Sequence, residues 1–399
     1  MHGFSPTRII YTLYNIMAGL YIHIPFCASR CIYCAFYSTT SVAVAEQYVE
    51  TVCKEMQLRA HEIERVDTIY LGGGTPSLLS ADSLHLLFTE IARTFKMGND
   101  VEVTMECNPD DITPDFANTL RSLPVNRISM GVQSFDNARL KFLHRRHNNE
   151  QVYSAVERLH EAKIDNISID LIFGFPGETL SDWEYDIDEA LRLDVRHISS
   201  YSLTYEENTP LIKLKQKGLV KEIDEETSIR MYQLLIDKLE AAGFEHYEIS
   251  NFAKIERQRD GKLKSYHSRH NSGYWKGIPY LGLGAAAHSY DGSNRKWNVA
   301  DLKQYMVNVN QGTIPCEKES LNTEARYNDC ITTALRTKDG IDLEWLQNTF
   351  GRNYLQHLMK ESKTYLDAGQ LALTSNRLRL TRKGIMISDM IMSDLMYID

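Results

Sequence analysis

Three of the seven cysteines lie within eight residues of one another near the start of the chain. Cys27, Cys31 and Cys34 form the pattern C-x3-C-x2-C in the segment YIHIPFCASRCIYC. A loop with this spacing can bring three thiolates to three corners of a [4Fe–4S] cube, which leaves the fourth iron open to another molecule. The alternative is a structural zinc site with His23 as the fourth ligand, although such sites usually take their ligands as two pairs.

The elements that position these thiols follow from the hydrophobic pattern. Apolar runs predict six strands, with amphipathic helical patterns such as 43–60 and 136–145 between them. The predicted strands cover residues 20–24, 68–73, 102–107, 127–133, 166–174 and 197–203. Repeated strand–helix units predict a parallel sheet that is closed or partly closed into a barrel.

Unusual polar or glycine-rich segments follow every predicted strand. They are PFCASRCIYC, GGGTPS, ECNPD, GVQSFD, DLIFGFPGET and LTYEENTP. Since chemistry in parallel barrels collects at the carboxyl ends of the strands, these segments are expected to share one site.

Composition limits the classes of protein to consider. A chain of 399 residues predicts two domains, and 43% hydrophobic with 24% charged residues is typical of a globular protein. A net charge of −9 without a basic block argues against a nucleic-acid partner. Without a recognisable secretory signal or an apolar run of about 20 residues, a cytoplasmic protein is expected. The scattered cysteines Cys53, Cys107, Cys316 and Cys330 do not suggest a disulfide framework.

Together these motifs resemble the radical S-adenosylmethionine (SAM) superfamily. C-x3-C-x2-C after a first strand, Tyr33 before the last cysteine, GGGTPS, ECNP, GVQSF, DLIFGFPGE and HNSGYW are similar to its coproporphyrinogen III oxidase-like branch, and most similar to the HemW-type haem chaperones within it. The resemblance covers about residues 18–399 and implies an α/β fold.

The resemblance also implies a domain organisation. A partial parallel (β/α) barrel of the radical SAM type is expected over 18–235, a family-specific segment with HNSGYW over 236–300, and a C-terminal mainly helical, winged-helix-like domain over 301–399. Residues 1–17 are expected to be an N-terminal extension, with Met17 directly before AGLYIHIPFC.

The same resemblance implies the cofactors. Cys27, Cys31 and Cys34 would hold the [4Fe–4S] cluster, SAM would chelate its open iron, and the reduced cluster would cleave SAM to a 5′-deoxyadenosyl radical and methionine. Arg146 is an equally basic neighbour of one matching position, Arg145. The positions that match the SAM pocket are Tyr21, Tyr33, Gly73, Gly74, Thr75, Glu106, Gln133, Arg145, Asp170 and Thr204.

Two functions compete at this stage. A haem chaperone that delivers haem to apo-haemoproteins is favoured, because Phe36 stands where the oxygen-independent coproporphyrinogen III oxidases carry a fourth cysteine. The alternative is that oxidase, which decarboxylates coproporphyrinogen to protoporphyrinogen IX.

Haem would be a third bound group, and HNSGYW predicts His270 as its iron ligand, with His267 and His288 as competitors and a purely structural role as an equal alternative. An electron donor is the further partner implied. Peripheral membrane contact through clients, and a homodimer, are left open.

Overall fold

A computed structural model describes residues 18–258 and 260–398, so the predicted N-terminal extension over 1–17 falls outside the described residues. The six apolar runs form six parallel strands, rich in the β-branched and aromatic residues that favour a buried sheet. They are β1 Ala18–Ile24, β2 Val66–Gly73, β3 Met97–Cys107, β4 Arg127–Gln133, β5 Ile167–Phe173 and β6 His197–Ser202.

Helices cover the outside of these strands, and several begin at a polar capping residue. The side chains of Ser80, Thr113, Asn148 and Thr179 each accept a hydrogen bond from a backbone N–H of the helix that follows. The helices are α1 Ala45–Arg59, α2 Ala81–Thr94, α3 Pro114–Arg121, α4 Asn137–Phe142, α5 Asn149–Glu161, α6 Leu180–Arg192, α7 Pro210–Gln216 and α8 Glu225–Ala241. Short 3₁₀ turns occupy Val42–Val44, Ala60–Glu62, Pro76–Leu78 and Pro109–Asp111.

The chain then returns to the sheet and adds strands at both edges. The next elements are β7 Phe244–Glu248, β8 Asn251–Arg257, β9 Leu263–Ser265, α9 Arg269–Trp275, β10 Tyr280–Leu283, β11 His288–Tyr290, β12 Asn294–Asn298, α10 Leu302–Asn310 and β13 Cys316–Ser320. The strand order is β13-β12-β11-β10-β1-β2-β3-β4-β5-β6-β8-β7, with β9 paired to β8.

A seventh parallel strand, β10, was not identified from the sequence. It pairs with β1 from Gly19 opposite Tyr280 to Ile22 opposite Leu283. The strand is only four residues long and contains a glycine, so the sequence gives no clear strand signal there. Its position is fixed by the sheet edge that β1 offers.

A buried carboxylate holds this returning segment against α1. Glu55 is fully buried and accepts hydrogen bonds from the Gly284 backbone N–H at 2.8 Å, from Asn298 at 2.8 Å and from the Tyr305 hydroxyl at 2.6 Å. Arg59, one turn further along α1, adds an ion pair at 2.9 Å. One side chain therefore connects α1 to β10, β12 and α10.

The C-terminal unit has its own core, which runs from Tyr327 to Leu395. Its elements are α11 Thr323–Ala334, β14 Ile341–Asp342, α12 Leu343–Phe350, α13 Arg352–Glu361, α14 Lys363–Asp367, β15 Leu371–Thr374, β16 Arg377–Leu380, α15 Arg382–Ile385 and α16 Ser388–Asp394. The three strands form a small antiparallel sheet in the order β14-β16-β15. The predicted fold class, a partial parallel barrel with a mainly helical, winged-helix-like end, is confirmed.

The smaller core starts later in the chain than the expected boundary at residue 301. Tyr305 and Val309 of α10 belong to the larger core, and β13 pairs with β12 in the large sheet. Among the described residues no helix is long and apolar enough to cross a membrane.

The Glu55 network gives a first testable prediction. Glu55→Ala removes the buried acceptor of the Gly284 N–H and the Tyr305 hydroxyl and leaves Arg59 with Glu62 as its remaining carboxylate. We therefore expect the free energy of unfolding to fall by about 3 kcal/mol in chemical denaturation. Glu50→Ala, an exposed change on the same helix, is the matched control and should shift it by no more than about 0.5 kcal/mol. Equal effects of the two changes would contradict the role assigned to Glu55.

Candidate functional site

The three clustered cysteines lie on the loop that leaves the carboxyl end of β1. All three thiols line one cavity of about 620 Å³ at the carboxyl ends of the barrel strands, and none of them forms a disulfide. Backbone hydrogen bonds fix the loop from outside, since Cys27 N–H donates to the Thr39 carbonyl at 2.9 Å and Ile32 N–H to the Leu143 carbonyl at 3.2 Å.

Two side chains donate directly to the sulfur atoms. The Thr75 hydroxyl lies 3.7 Å from Cys27 Sγ, and Arg145 Nη1 lies 3.6 Å from Cys31 Sγ. Burial raises the pKa of the Cys27 and Cys34 thiols, and donors of this kind favour thiolates. Three thiols with hydroxyl and guanidinium donors fit an iron–sulfur cluster bound at three corners, whose potential such hydrogen bonds adjust.

In the zinc alternative His23 would be the fourth ligand, but both of its ring nitrogens are hydrogen-bonded. His23 Nε2 donates to the Tyr37 carbonyl at 2.9 Å, and its Nδ1 lies 2.9 Å from the Tyr21 hydroxyl. Within the described ranges, no group of three or more His, Cys, Asp or Glu side chains is placed to hold a single metal ion.

The glycine turn after β2 is bound to the start of the cysteine loop. Gly74 N–H donates to the Ile24 carbonyl at 2.8 Å, and Thr75 N–H donates to the Phe26 carbonyl at 2.7 Å. A Cβ on Gly74 would lie 2.6 Å from the Ile24 oxygen, and Gly73, with φ +108°, has the His23 ring where its Cβ would stand. The glycines are therefore required by the protein's own packing, in addition to any approach of a ligand.

Two half-buried carboxyl groups face the cavity. Glu106 accepts hydrogen bonds from the Tyr70 hydroxyl at 2.8 Å and from Gly73 N–H at 3.0 Å. Burial outweighs these bonds and raises the pKa of Glu106 to about 7. Burial likewise raises the pKa of Asp170 to about 6, against the Ser199 hydroxyl that lowers it. Both groups thus change charge near neutral pH, where a cationic ligand would favour their ionised forms.

Both arginines line the cavity, but Arg145, rather than Arg146, bonds the cysteine loop. Its Nη2 donates to Asn108 Oδ1 and to the Gly131 carbonyl, both at 2.5 Å. Arg146 instead forms ion pairs with Asp110 at 3.0 Å and Asp111 at 2.7 Å.

Gln133 lines the cavity in a backbone conformation that is uncommon for its residue type. Its φ is +69°, and it follows an irregularity in the pairing of β4 with β5. Such left-handed residues often lie at functional sites, because the surrounding structure must hold them there.

The aromatic positions divide into two groups. Tyr33 and Thr204 line the cavity, as the resemblance implied. Tyr21 does not line it but stacks behind Tyr70, with ring centroids 6.2 Å apart, and Tyr70 does face the cavity.

His270 lies at the opposite end of the barrel from the cysteines. On α9 it packs beside Gly19 at the amino end of β1, with Nδ1 2.8 Å from the Thr68 hydroxyl and Nε2 2.8 Å from the Tyr274 hydroxyl. Burial lowers its pKa to about 3. The next residue, Asn271, does line the cavity. Of the two competitors, His267 bonds Glu245 at 2.7 Å and His288 lies on β11.

Sequence reasoning missed several cavity residues, and a period of two could have found some of them. Successive odd positions of β4 line the cavity, whereas Ile128, Met130 and Val132 between them are buried in the core. The unpredicted lining residues include Tyr70, Asn108, Arg127, Ser129, His144, Ser199, Tyr201 and Asn271.

Comparisons with known proteins agree with this geometry. Residues 21–190 match the Radical SAM superfamily, and residues 321–387 match the HemN C-terminal domain. The heme chaperone HemW of Lactococcus lactis is 35% identical over 91% of this chain and 93% of its own length, and that of Bacillus subtilis is 34% identical over 94% and 97%. The solved structure of Escherichia coli coproporphyrinogen III oxidase, a radical SAM enzyme, has a TM-score of 0.80 at 20% identity, covering 99% of this chain and 93% of that one.

The raised pKa of Glu106 gives a second prediction. An unfolded glutamate ionises near pH 4.3, whereas Glu106 in the folded chain ionises near pH 7. Between these two pH values ionisation stabilises the unfolded chain but not the folded one, so the free energy of unfolding falls as the pH rises. The stability that protonated Glu106 contributes is therefore complete below about pH 4.3 and lost above about pH 7. We therefore expect Glu106→Gln to raise the free energy of unfolding of the ligand-free protein by roughly 3 kcal/mol at pH 8 and by less than about 0.5 kcal/mol at pH 4.

Chemical denaturation at the two pH values measures this difference. Glu64→Gln, at an exposed position, is the control and should give the same small change at both. A Glu106→Gln effect that does not depend on pH would contradict the assigned ionisation.

Proposed function

Because this chain belongs to the HemW family of the radical SAM superfamily, we propose that it is a haem chaperone that binds haem and delivers it to apo-haemoproteins. The observation that carries this proposal is the extent of the similarity, which covers more than nine-tenths of both chains for two proteins named heme chaperone HemW.

The superfamily implies a [4Fe–4S] cluster and SAM, and this chain supplies residues that suit both. We propose that Cys27, Cys31 and Cys34 hold the cluster, with Thr75 and Arg145 donating to the sulfurs. When reduced, such a cluster supplies the electron that cleaves SAM. The residues proposed to line the SAM site are Tyr33, Gly73, Gly74, Thr75, Glu106, Gln133, Arg145, Asp170 and Thr204, with Tyr21 behind Tyr70.

The oxidase alternative is less well supported. The likeness to coproporphyrinogen III oxidase, at 20% identity, shows a shared fold. At the position that matches the fourth cysteine of those oxidases, Phe36 is 69% exposed at the edge of the cavity. An exposed phenyl ring offers an apolar surface for a flat macrocycle but no thiol.

The position of the haem remains a proposal. His270 would have to give up the hydrogen bond at one of its two ring nitrogens, to Thr68 or to Tyr274, before it could bind iron. His144 is exposed on the cavity wall and shares that wall with Phe36, which makes it a second candidate ligand.

The remaining partners follow from the chemistry. Reduction of the cluster requires an electron donor. For the location of the protein, we propose the cytoplasm. Peripheral contact with a membrane through client proteins, and a homodimer, stay predictions.

The cluster and the transfer of haem can be tested together. We expect anaerobically reconstituted protein to contain about four irons per chain and to pass bound haem to an apo-haemoprotein, measured by the client's absorbance. Cys27→Ala, Cys31→Ala and Cys34→Ala should each lose most of that iron, whereas Cys316→Ala, at an exposed cysteine outside the cavity, should retain it.

Two outcomes oppose the proposal in different ways. Iron content that survives all three cysteine changes would exclude the cluster site. Multiple turnovers of coproporphyrinogen III to protoporphyrinogen IX, in the presence of SAM and reductant, would make the protein an oxidase.

The haem ligand can be identified separately. If the hydrogen bonds of His270 persist, His144→Ala should change the Soret spectrum of the haem complex and His270→Phe should not. The reverse result would assign the iron to His270 and require α9 to rearrange, and a loss of stability in His270→Phe without a spectral change would give that residue a structural role.

A further inference from the structure

The inner end of the barrel cavity contains a guanidinium with two buried nitrogens that are unpaired within the described ranges. Arg127 is the first residue of β4, is 1% exposed and lines the cavity. Its Nε and Nη1 are buried and have no hydrogen-bond partner among the described residues. Burying a guanidinium in this way costs free energy unless an anion meets it.

Neither nearby carboxylate is hydrogen-bonded to Arg127 in the described part of the chain. Glu102 accepts hydrogen bonds from the backbone N–H groups of Arg269 at 3.1 Å and His270 at 3.0 Å, at the start of α9. Asp170 acts on Arg127 through its charge alone.

A further buried hydroxyl without a partner lies on the neighbouring strand. Thr104 is the register partner of Arg127 across β3 and β4, and its hydroxyl has no hydrogen-bond partner in the described part of the chain. Ser129 and Asn271 line the same cavity. A planar guanidinium fork matches a carboxylate in a bidentate geometry, and neighbouring hydroxyl or amide groups can complete its hydrogen bonds.

We propose that the inner end of the cavity is a carboxylate-binding site in which Arg127 holds the carboxylate. The site is distinct from the cluster end. Arg127 precedes Gly131 by four residues, and the Gly131 carbonyl receives Arg145, which itself bonds Cys31. At about 3.3 Å per residue the two positions are about 13 Å apart along β4.

Two ligands could bring the carboxylate. SAM carries one on its methionyl group, and haem, under the function proposed above, carries two propionates. The depth of Arg127 favours a carboxylate other than one chelated at the cluster, hence a propionate, and the experiment distinguishes the two sources.

The test removes the charge from the protein and the carboxylate from the ligand in turn. Dissociation constants are measured anaerobically on the cluster-reconstituted full chain for haem and haem dimethyl ester, and for SAM and decarboxylated SAM. Wild type, Arg127→Gln and Arg127→Lys are compared, with Arg146→Gln, an ion-paired arginine of the same cavity, as the matched control. The expected result is that Arg127→Gln weakens one carboxylate ligand by about 10- to 100-fold and leaves its carboxylate-free analogue nearly unchanged.

The outcomes separate this inference from the proposed function. If Arg127→Gln weakens the binding of haem but not of haem dimethyl ester, the bound carboxylate is a propionate. If it weakens the binding of SAM but not of decarboxylated SAM, the bound carboxylate is that of the methionyl group. If Arg127→Gln changes the dissociation constants of both members of each pair equally, or changes none of them, the proposed carboxylate site is wrong. Arg127 is then a counter-charge to Asp170. If wild type fails to bind haem, the proposed function fails, and the SAM pair still decides Arg127. If Arg127→Gln loses its iron or unfolds, Arg127→Lys, which keeps the charge but not the fork, should show the same selective loss in smaller degree.

Discussion

Two backbone hydrogen bonds, from Gly74 and Thr75 to the carbonyls of Ile24 and Phe26, set the geometry of the whole site. They hold the turn after β2 against the loop after β1, so the thiol of Cys27 and the hydroxyl of Thr75 come within 3.7 Å. The same turn presents the Gly73 N–H to Glu106, which joins β3 to the arrangement. Glycine is needed at position 74 because a Cβ there would meet the backbone of Ile24 and Phe26.

Along the barrel wall, polar side chains replace the apolar filling that parallel barrels usually have. Alternate residues of β4 turn Arg127, Ser129 and Gln133 toward the cavity, while the residues between them pack under the helices. The interior is therefore a buried space with both signs of charge, in which each group's ionisation depends on its neighbours. This is the environment that a charged, polar ligand requires.

Much of this arrangement could be predicted from the sequence. The six strands carry strong apolar signals, and the motif segments do lie at their carboxyl ends around one cavity. β10 was missed because four residues with a glycine carry little pattern, and its pairing is decided by an edge formed more than 250 residues earlier. The position of His270 could not be predicted either. No local pattern shows that α9 lies at the amino ends of the strands, or that Thr68 and Tyr274 bond the two ring nitrogens of His270.

The placement of α9 has a kinetic consequence. This helix packs at the amino ends of β1 and β2, through Gly19 and Thr68, and its Asn271 faces the cavity, so α9 lies between the floor near Arg127 and that end of the barrel. The mouth beside the cysteine loop is then the route to the floor. A molecule that occupies the floor must enter before one that fills the mouth, and it can leave only after the mouth has cleared. With the floor occupied as proposed above, loading and release along this route would be ordered, and the molecule at the mouth would be the last to enter and the first to leave.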